Sequence, residues 1–468
     1  MNQPLCSLTA VELAAGYRER RFSVEEVIDS VLHRIRTVEP HLNAFCLVDE
    51  PRARRQAAES ARRFSTGTPI GPLDGIPLSI KDIVLTAEWP TRRGSAALPP
   101  AGPSGTDAPS AAFLRAAGAI AIGKTTTPEL GWKGVTDSPP TGITRNPWDL
   151  NKTPGGSSGG AAAAVASGMG PLALGTDGGG SVRIPASFTG TVGIKASRGL
   201  VPLWPASGFG VLSHVGPIAR SVSDAVLMLS AIGRNDTRDT SFPRSCYPEI
   251  KDHVAQLAGT NLRVGYCLDH PDMGTDPEVR EAVQASIVVL KDSGAATVPV
   301  KLPAEGLLEA FETLWFVGAA SSLAAGVDVA KLDPGLAEIA SEGARRTGVA
   351  YHRAVLRGEE LKRDMDLLFG DIDFLVTPTV PILPFEAGVE VPAPWSGSRW
   401  TSWTPFTYPF NITAQPAVSV PATVSRDGLP IGLQIVGRFG DDLRLLQFAK
   451  MFESGRGALP KSPSPFVV

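Results

Sequence analysis

Three short segments bring together residue types that can cleave an acyl bond. In Gly75-Ile-Pro-Leu-Ser-Ile-Lys81-Asp82 a lysine ends an apolar run. Burial disfavours an ammonium, lowers its pKa from about 10.4 and turns the amine into a base. The same residues also read as a Lys81–Asp82 charge pair at the surface. In Pro154-Gly-Gly-Ser157-Ser158-Gly-Gly-Ala161 four glycines flank two serines. Glycine lets a backbone approach a substrate closely, and the start of the Ala-rich helix that follows collects unpaired N–H groups. A plain linker or N-cap is the competing reading, but a linker would not pass straight into so apolar a helix. In Gly175-Thr-Asp-Gly178-Gly179-Gly180-Ser181-Val-Arg183-Ile-Pro185-Ala three glycines precede one serine. Successive backbone N–H groups beside a hydroxyl suit stabilisation of an oxyanion at an attacked carbonyl. A flexible turn or an anion-binding nest fits the same residues.

Two other patterns point to different chemistry and fail on context. Gly118-Ala-Ile-Ala-Ile-Gly123-Lys124-Thr125 satisfies the phosphate-loop pattern GxxxxGK[ST]. That loop needs flexible residues between a strand and a helix, with N–H groups facing phosphate. Here Ala-Ile-Ala-Ile favours being the strand itself, with Lys124 at its exit. Gly156-Ser-Ser158-Gly-Gly160 satisfies the nucleophile-elbow pattern GxSxG, which needs a strand directly before it and acid and histidine partners downstream. The preceding Asn151-Lys-Thr-Pro-Gly155 is a turn, and His33, His41, His214, His253, His270 and His352 sit in no suggestive motif. There is no HExxH run and no His/Cys/Asp cluster, so no metal is expected.

The three segments need a scaffold, and the pattern predicts an α/β one. Thr9 to about Phe64 reads as helices, with a capping box from Ser23 to Glu26 and apolar positions at Val27, Ile28, Val31, Leu32 and Ile35. From Pro72 short apolar runs (77–80, 119–122, 172–174) alternate with helical stretches, which predicts a mixed or parallel sheet. Residues 161–173 read as a buried helix followed by a strand. Residues 235 to 369 read as helices carried on the core. Strands return at 374–379, 417–420 and 431–436, and residues 381–405 form a Pro- and Trp-rich loop. This gives one unit over 1–468: helices to about 65, a core over 66–230, a helical insertion over 235–370, and a return to the sheet over 371–468.

Composition narrows the function classes. The 468 residues are 43% hydrophobic, enough for a large core, and the net charge of −3 lacks the basic footprint of a nucleic-acid binder. Charges of both signs are mixed, so no face steers a polyanion or an anionic membrane. Cys6, Cys46, Cys246 and Cys267 lie far apart and read as reduced thiols of a cytoplasmic protein. The N-terminal residues lack the basic and apolar runs of a signal peptide, and no run of about 18 apolar residues occurs.

The three segments, in this order and with 24 residues from Ser157 to Ser181, resemble the amidase signature family. Segments 123–129, 213–220 and 428–437 are also similar to it, so the likeness spans roughly residues 10 to 450. It implies a central mixed β-sheet covered by helices on both faces, and an amidohydrolase that forms an acyl-enzyme without metal or organic cofactor. By this resemblance Ser181 is the nucleophile. Ser157, after a cis peptide bond, bridges to it. Lys81 is the neutral base, and Ser158 holds the lysine. The N–H groups from Gly178, Gly179 and Gly180 through Ser181 form the oxyanion hole. Asp177 and Arg183 fix the glycine loop as an ion pair. Gly178 stands where many relatives carry Thr or Ile, which predicts more room there. The family does not set the substrate. Trp395, Trp400 and Trp403 in the Pro-rich loop, with Trp132, predict a pocket for apolar groups, although the same rings could simply pack the loop on the core. The expected substrates are aryl or alkyl amides and anilides, with carbamates (urethanes) and hydrazides beside them, cleaved by a monomer or homodimer. One rival is the glutamine-hydrolysing component of a tRNA amidotransferase. Another is a non-catalytic binding protein on the same fold.

Overall fold

The computed structural model describes residues 3–99, 102–240, 262–270, 274–323, 327–393, 395, 397–459 and 464–468. Cys246 and His253 lie outside them. The N-terminal layer is built by local signals. Ser23 caps the helix Val24–Leu42 by accepting from the Glu26 amide, and the Glu26 carboxylate accepts in return from the Ser23 amide. The predicted apolar stripe of that helix, with Val24, Val38 and Leu42, is buried.

The strands are β1 (Phe45–Val48), β2 (Pro77–Lys81), β3 (Ile120–Thr125), β4 (Asp137–Ser138), β5 (Gly142–Ile143), β6 (Leu172–Asp177), β7 (Val192–Lys195), β8 (His214–Ala219), β9 (Arg263–Tyr266), β10 (Ala296–Pro299), β11 (Phe374–Pro378), β12 (Ala417–Val424) and β13 (Pro430–Val436). Among the described residues all but the β4–β5 hairpin join one sheet of 11 strands, in the order β1-β3-β2-β6-β8-β7-β12-β13-β11-β9-β10. The sheet is mixed: β3, β2 and β6 run parallel, as do β11, β9 and β10, and the remaining neighbours are antiparallel. It is an α/β fold with helices on both faces. In β6, Leu172 and Leu174 enter the core shared with the N-terminal helices, whereas Ala173 packs with Ala161, Ala162 and Val165 of the helix Gly159–Ala166. That alternation is the pleat of a strand buried on both faces.

The alternating pattern locates β2, β3, β6, β11, β12 and β13, but two expectations need correction. The region expected to be helices over 9–64 contains β1, and the insertion over 235–370 contains β9 and β10 at the sheet edge. These strands are four residues each, too short for a period of two to stand out from flanking helices. The phosphate-loop match is β3 itself. Lys124 there is fully buried and donates to the Val84 carbonyl (2.9 Å) and to Thr91 Oγ1 (2.6 Å). Among the described residues no helix is long and apolar enough to cross a membrane.

Candidate active site

Lys81 ends β2, and Asp177 ends the parallel neighbour β6. Both therefore lie at the carboxyl edge of the sheet, where open α/β folds bind ligands. Ser157 and Ser158 precede the helix Gly159–Ala166, and Ser181 lies in the turn from β6 to the helix Arg183–Thr189. The fold thus converges three segments on one point.

Lys81 has no exposed surface. Its Nζ lies 2.7 Å from Ser157 Oγ, 3.0 Å from Ser158 Oγ and 2.9 Å from Thr176 Oγ1, all hydroxyls. Burial drives its pKa well below 10.5, while the negative charge of Asp177 opposes that shift. The adjacent Asp82 pairs instead with Lys124 at 3.4 Å, so no Lys81–Asp82 surface pair forms. Ser158 Oγ donates to the Thr176 carbonyl and accepts from the Thr176 amide. Its proton is committed, so it must accept from Lys81. The Gly156–Ser157 peptide bond is cis. Ser157 and Ser181 line the same cavity, although among the described residues no hydrogen bond joins their hydroxyls.

A buried network fixes the glycine loop. Asp177 and Arg183 are both fully buried and paired at 2.9 Å. Arg183 also donates to the Thr407 carbonyl, Gln434 Oε1 and Asn411 Oδ1, and Asn411 Nδ2 donates to Asp177. Burial alone would raise the Asp177 pKa, but Arg183, Asn411 and Lys195 outweigh it and hold the carboxyl below its usual range. The Gly180 amide donates to Asp177 Oδ1 at 2.8 Å, which corrects its expected place among oxyanion donors. Among the described residues the amides of Gly178, Gly179 and Ser181 make no hydrogen bond to protein. Gly180 has φ +127°, and a Cβ there would lie 2.5 Å from Thr407 Oγ1. Only glycine therefore fits that turn.

Beside Ser181 lies a cavity of about 130 Å³. Its apolar wall includes Ile83, Leu130, Leu203, Trp204, Phe209 and Trp315. The charged residues on it are Asp177, spent on Arg183, and Arg93; His214 is kept neutral, because burial and then Lys195 push its pKa well below 6.5. The four tryptophans expected to form the pocket are not in this wall. Trp132, Trp400 and Trp403 are buried and Trp395 is half-buried against the same aromatic layer. Trp403 stacks on Phe188 and Trp400 meets Trp315 edge-on. Each ring removes so much apolar surface from water that packing the loop takes them all. Gly178 gains no room either, since a Cβ there would lie 2.9 Å from the Trp315 ring.

Sequence reasoning did not single out Thr176, Thr407, Asn411 or Gln434, nor the cavity aromatics. Trp204, in the loop Pro202-Leu-Trp-Pro205, carried a usable signal: an aromatic ring in a proline-rich connection. Phe209 stacks on Trp315 with ring centres 4.0 Å apart, a meeting across a hundred residues that no local pattern announces.

A family model described as Amidase matches residues 26–446. An acylamidase of Rhodococcus erythropolis is 35% identical, with 100% of this chain and 99% of that protein covered. The A component of the glutamyl-tRNA(Gln) amidotransferase of Synechococcus sp. (strain CC9605) is 34% identical, covering 95% and 96%. Among solved structures, a bacterial aryl acylamidase of the amidase signature family superposes with a TM-score of 0.91 at 29% identity, covering 97% of each chain. A 6-aminohexanoate cyclic dimer hydrolase does so at 0.88 and 29%, again covering 97% of each.

Proposed function

This chain belongs to the amidase family, hydrolases of carbon–nitrogen bonds, and we propose that it cleaves small aryl and alkyl amides and anilides, with carbamates (urethanes) and hydrazides as related substrates. The observation that carries this reading is the apolar cavity beside Ser181. A cavity near 150 Å³ accepts a benzene ring, so the volume of about 130 Å³ suits one aryl or short alkyl group.

In the mechanism we assign, neutral Lys81 donates its two protons to Ser158 and Thr176. Its lone pair is left for the Ser157 hydroxyl. Ser157 passes its proton to Lys81 and takes the proton of Ser181. Ser181 Oγ then attacks the amide carbonyl. The amides of Gly178, Gly179 and Ser181 receive the oxyanion. The carbon–nitrogen bond breaks as the relay returns a proton to the leaving nitrogen, giving an acyl-enzyme. Water, deprotonated by the same relay, releases the acid. The one continuous sheet supports treating the chain as a single amidase unit, and the free thiols of Cys6, Cys46 and Cys267 support a reducing, cytoplasmic setting.

The likeness to the amidotransferase component favours glutamine as the rival substrate. A free amino acid needs a cation for its carboxylate and an anion for its ammonium. Arg93 offers the first, but among the described residues the only carboxylate on the wall, Asp177, is already paired. Purified protein should therefore release aniline from acetanilide and leave glutamine intact, and Ser181→Ala should abolish the release. Ammonia from glutamine, dependent on added partner proteins and without anilide cleavage, would establish the rival. An active Ser181→Ala would remove the nucleophile assignment.

A further inference from the structure

We propose that Arg93 binds a carboxylate carried by the substrate, so that the preferred amides have an apolar body ending in an anionic group. This rests on the cavity being the amide site. Arg93 is half-buried in that cavity wall. Its carbonyl accepts from the Leu130 amide at 2.8 Å. The next residue, Gly131, also lines the cavity, and a Cβ on it would lie 3.3 Å from Ser157 Oγ. Arg93 is thus tied to the segment beside the serines.

Two features mark this arginine, which, unlike Arg20, also at positive φ, lies in the cavity wall. Among the described residues its guanidinium makes no ion pair and no hydrogen bond, whereas the guanidinium of Arg183 is fully engaged with Asp177, Asn411, Gln434 and Thr407. The backbone of Arg93 also has φ +56°, a left-handed conformation costly for a side-chain-bearing residue and concentrated at ligand sites. A half-desolvated guanidinium presents a rigid fork of donors that matches a carboxylate in bidentate geometry. Asp177 cannot compete for it, because Arg183 holds both its oxygens.

Two pairs of anilides test this, one for each side of the scissile bond: N-phenylsuccinamate against N-phenylpentanamide, and para-acetamidobenzoate against para-acetylacetanilide. In at least one pair the carboxylate should raise kcat/KM by about tenfold or more, through KM, and added salt should reduce the advantage. In Arg93→Met the ratio should fall to about one, and Arg93→Lys should keep part of it. A parent ratio near one in both pairs, or a ratio that survives in Arg93→Met, would overturn the proposal. The parent ratio and its salt dependence decide even if a variant does not fold. Cleavage of none of the four amides would instead overturn the amide reading, and this inference with it.

Discussion

Replacing Arg183 with methionine isolates what holds the glycine loop. The change removes every side-chain bond that Arg183 makes: two to Asp177 and one each to Thr407, Gln434 and Asn411. Asp177, with no exposed side-chain surface, is left as a buried charge. Breaking such a pair costs about 3–5 kcal/mol. Lys195 offsets part of this. Its pKa is lowered to about 7, first by burial and then by Arg183, against the pull of Asp177. Once Arg183 is gone Lys195 holds its proton more strongly and faces Asp177, so the expected loss is about 3 kcal/mol. At roughly 2.1 cal/mol/K per residue, a 468-residue chain loses about 3 °C in Tm.

The pH dependence sharpens the test. In the parent the Asp177 pKa is depressed, so its stabilisation is present above the ordinary carboxylate pKa and lost as pH falls through the folded value. In Arg183→Met burial dominates and the pKa rises, so the variant loses stability as pH rises through it. Lys195 acts in the same sense. Folded Lys195 of the parent is deprotonated above about 7 while the unfolded lysine stays charged, so the parent gains stability there and the variant does not. Thermal unfolding of both proteins at about pH 5.5 and about pH 8.5 should show the wider gap at the higher pH. A gap below about 1 °C at both, or a wider gap at the lower pH, would refute the reasoning.

Turnover should rise with pH as Lys81 loses its proton, with an apparent pKa well below 10.5. Lys81→Arg should not restore activity because arginine stays charged, and an active Lys81→Arg in a pH–rate series would end the relay scheme. Ser158→Ala, which removes the 3.0 Å bond to Lys81 and two bonds to Thr176, should cost about 1–3 kcal/mol, or about 5–150-fold in kcat. Ser157→Ala should cost about a thousandfold or more, and the reverse ranking in steady-state kinetics would mean that the wrong serine bridges. Gly178→Ala forces a methyl against the Trp315 ring and should cost about 1–3 kcal/mol. Trp315→Leu in the same chain should recover much of that loss in a double-mutant cycle read by thermal unfolding, and additive losses would show that the ring does not fill the Gly178 space.

Some of this protein was legible one segment at a time, because the cause was local. A serine three residues before a glutamate caps a helix wherever it sits, and Ser23 does so. Gly180 is required by its own φ. An apolar run that ends in lysine marks a strand that draws the final amine out of water, and β2 is that strand. Resemblance added the expected roles of the serines, which spacing alone left open.

What the tertiary structure decided was every partnership across the chain. Lys81 meets Ser157 and Thr176 only because β2 and β6 lie side by side. Asp177 takes the Gly180 amide for itself, and the loop that contributes Thr407 and Asn411 arrives from more than 220 residues away. The same sequence of tryptophans could have faced a substrate or the core. Packing put Trp132, Trp400 and Trp403 wholly in the core, whereas half-buried Trp204 and Phe209, with buried Trp315 behind them, line the cavity. Side-chain type fixes how much surface a ring would rather hide, but only the packed neighbours decide which ring is hidden and which is left to meet a ligand.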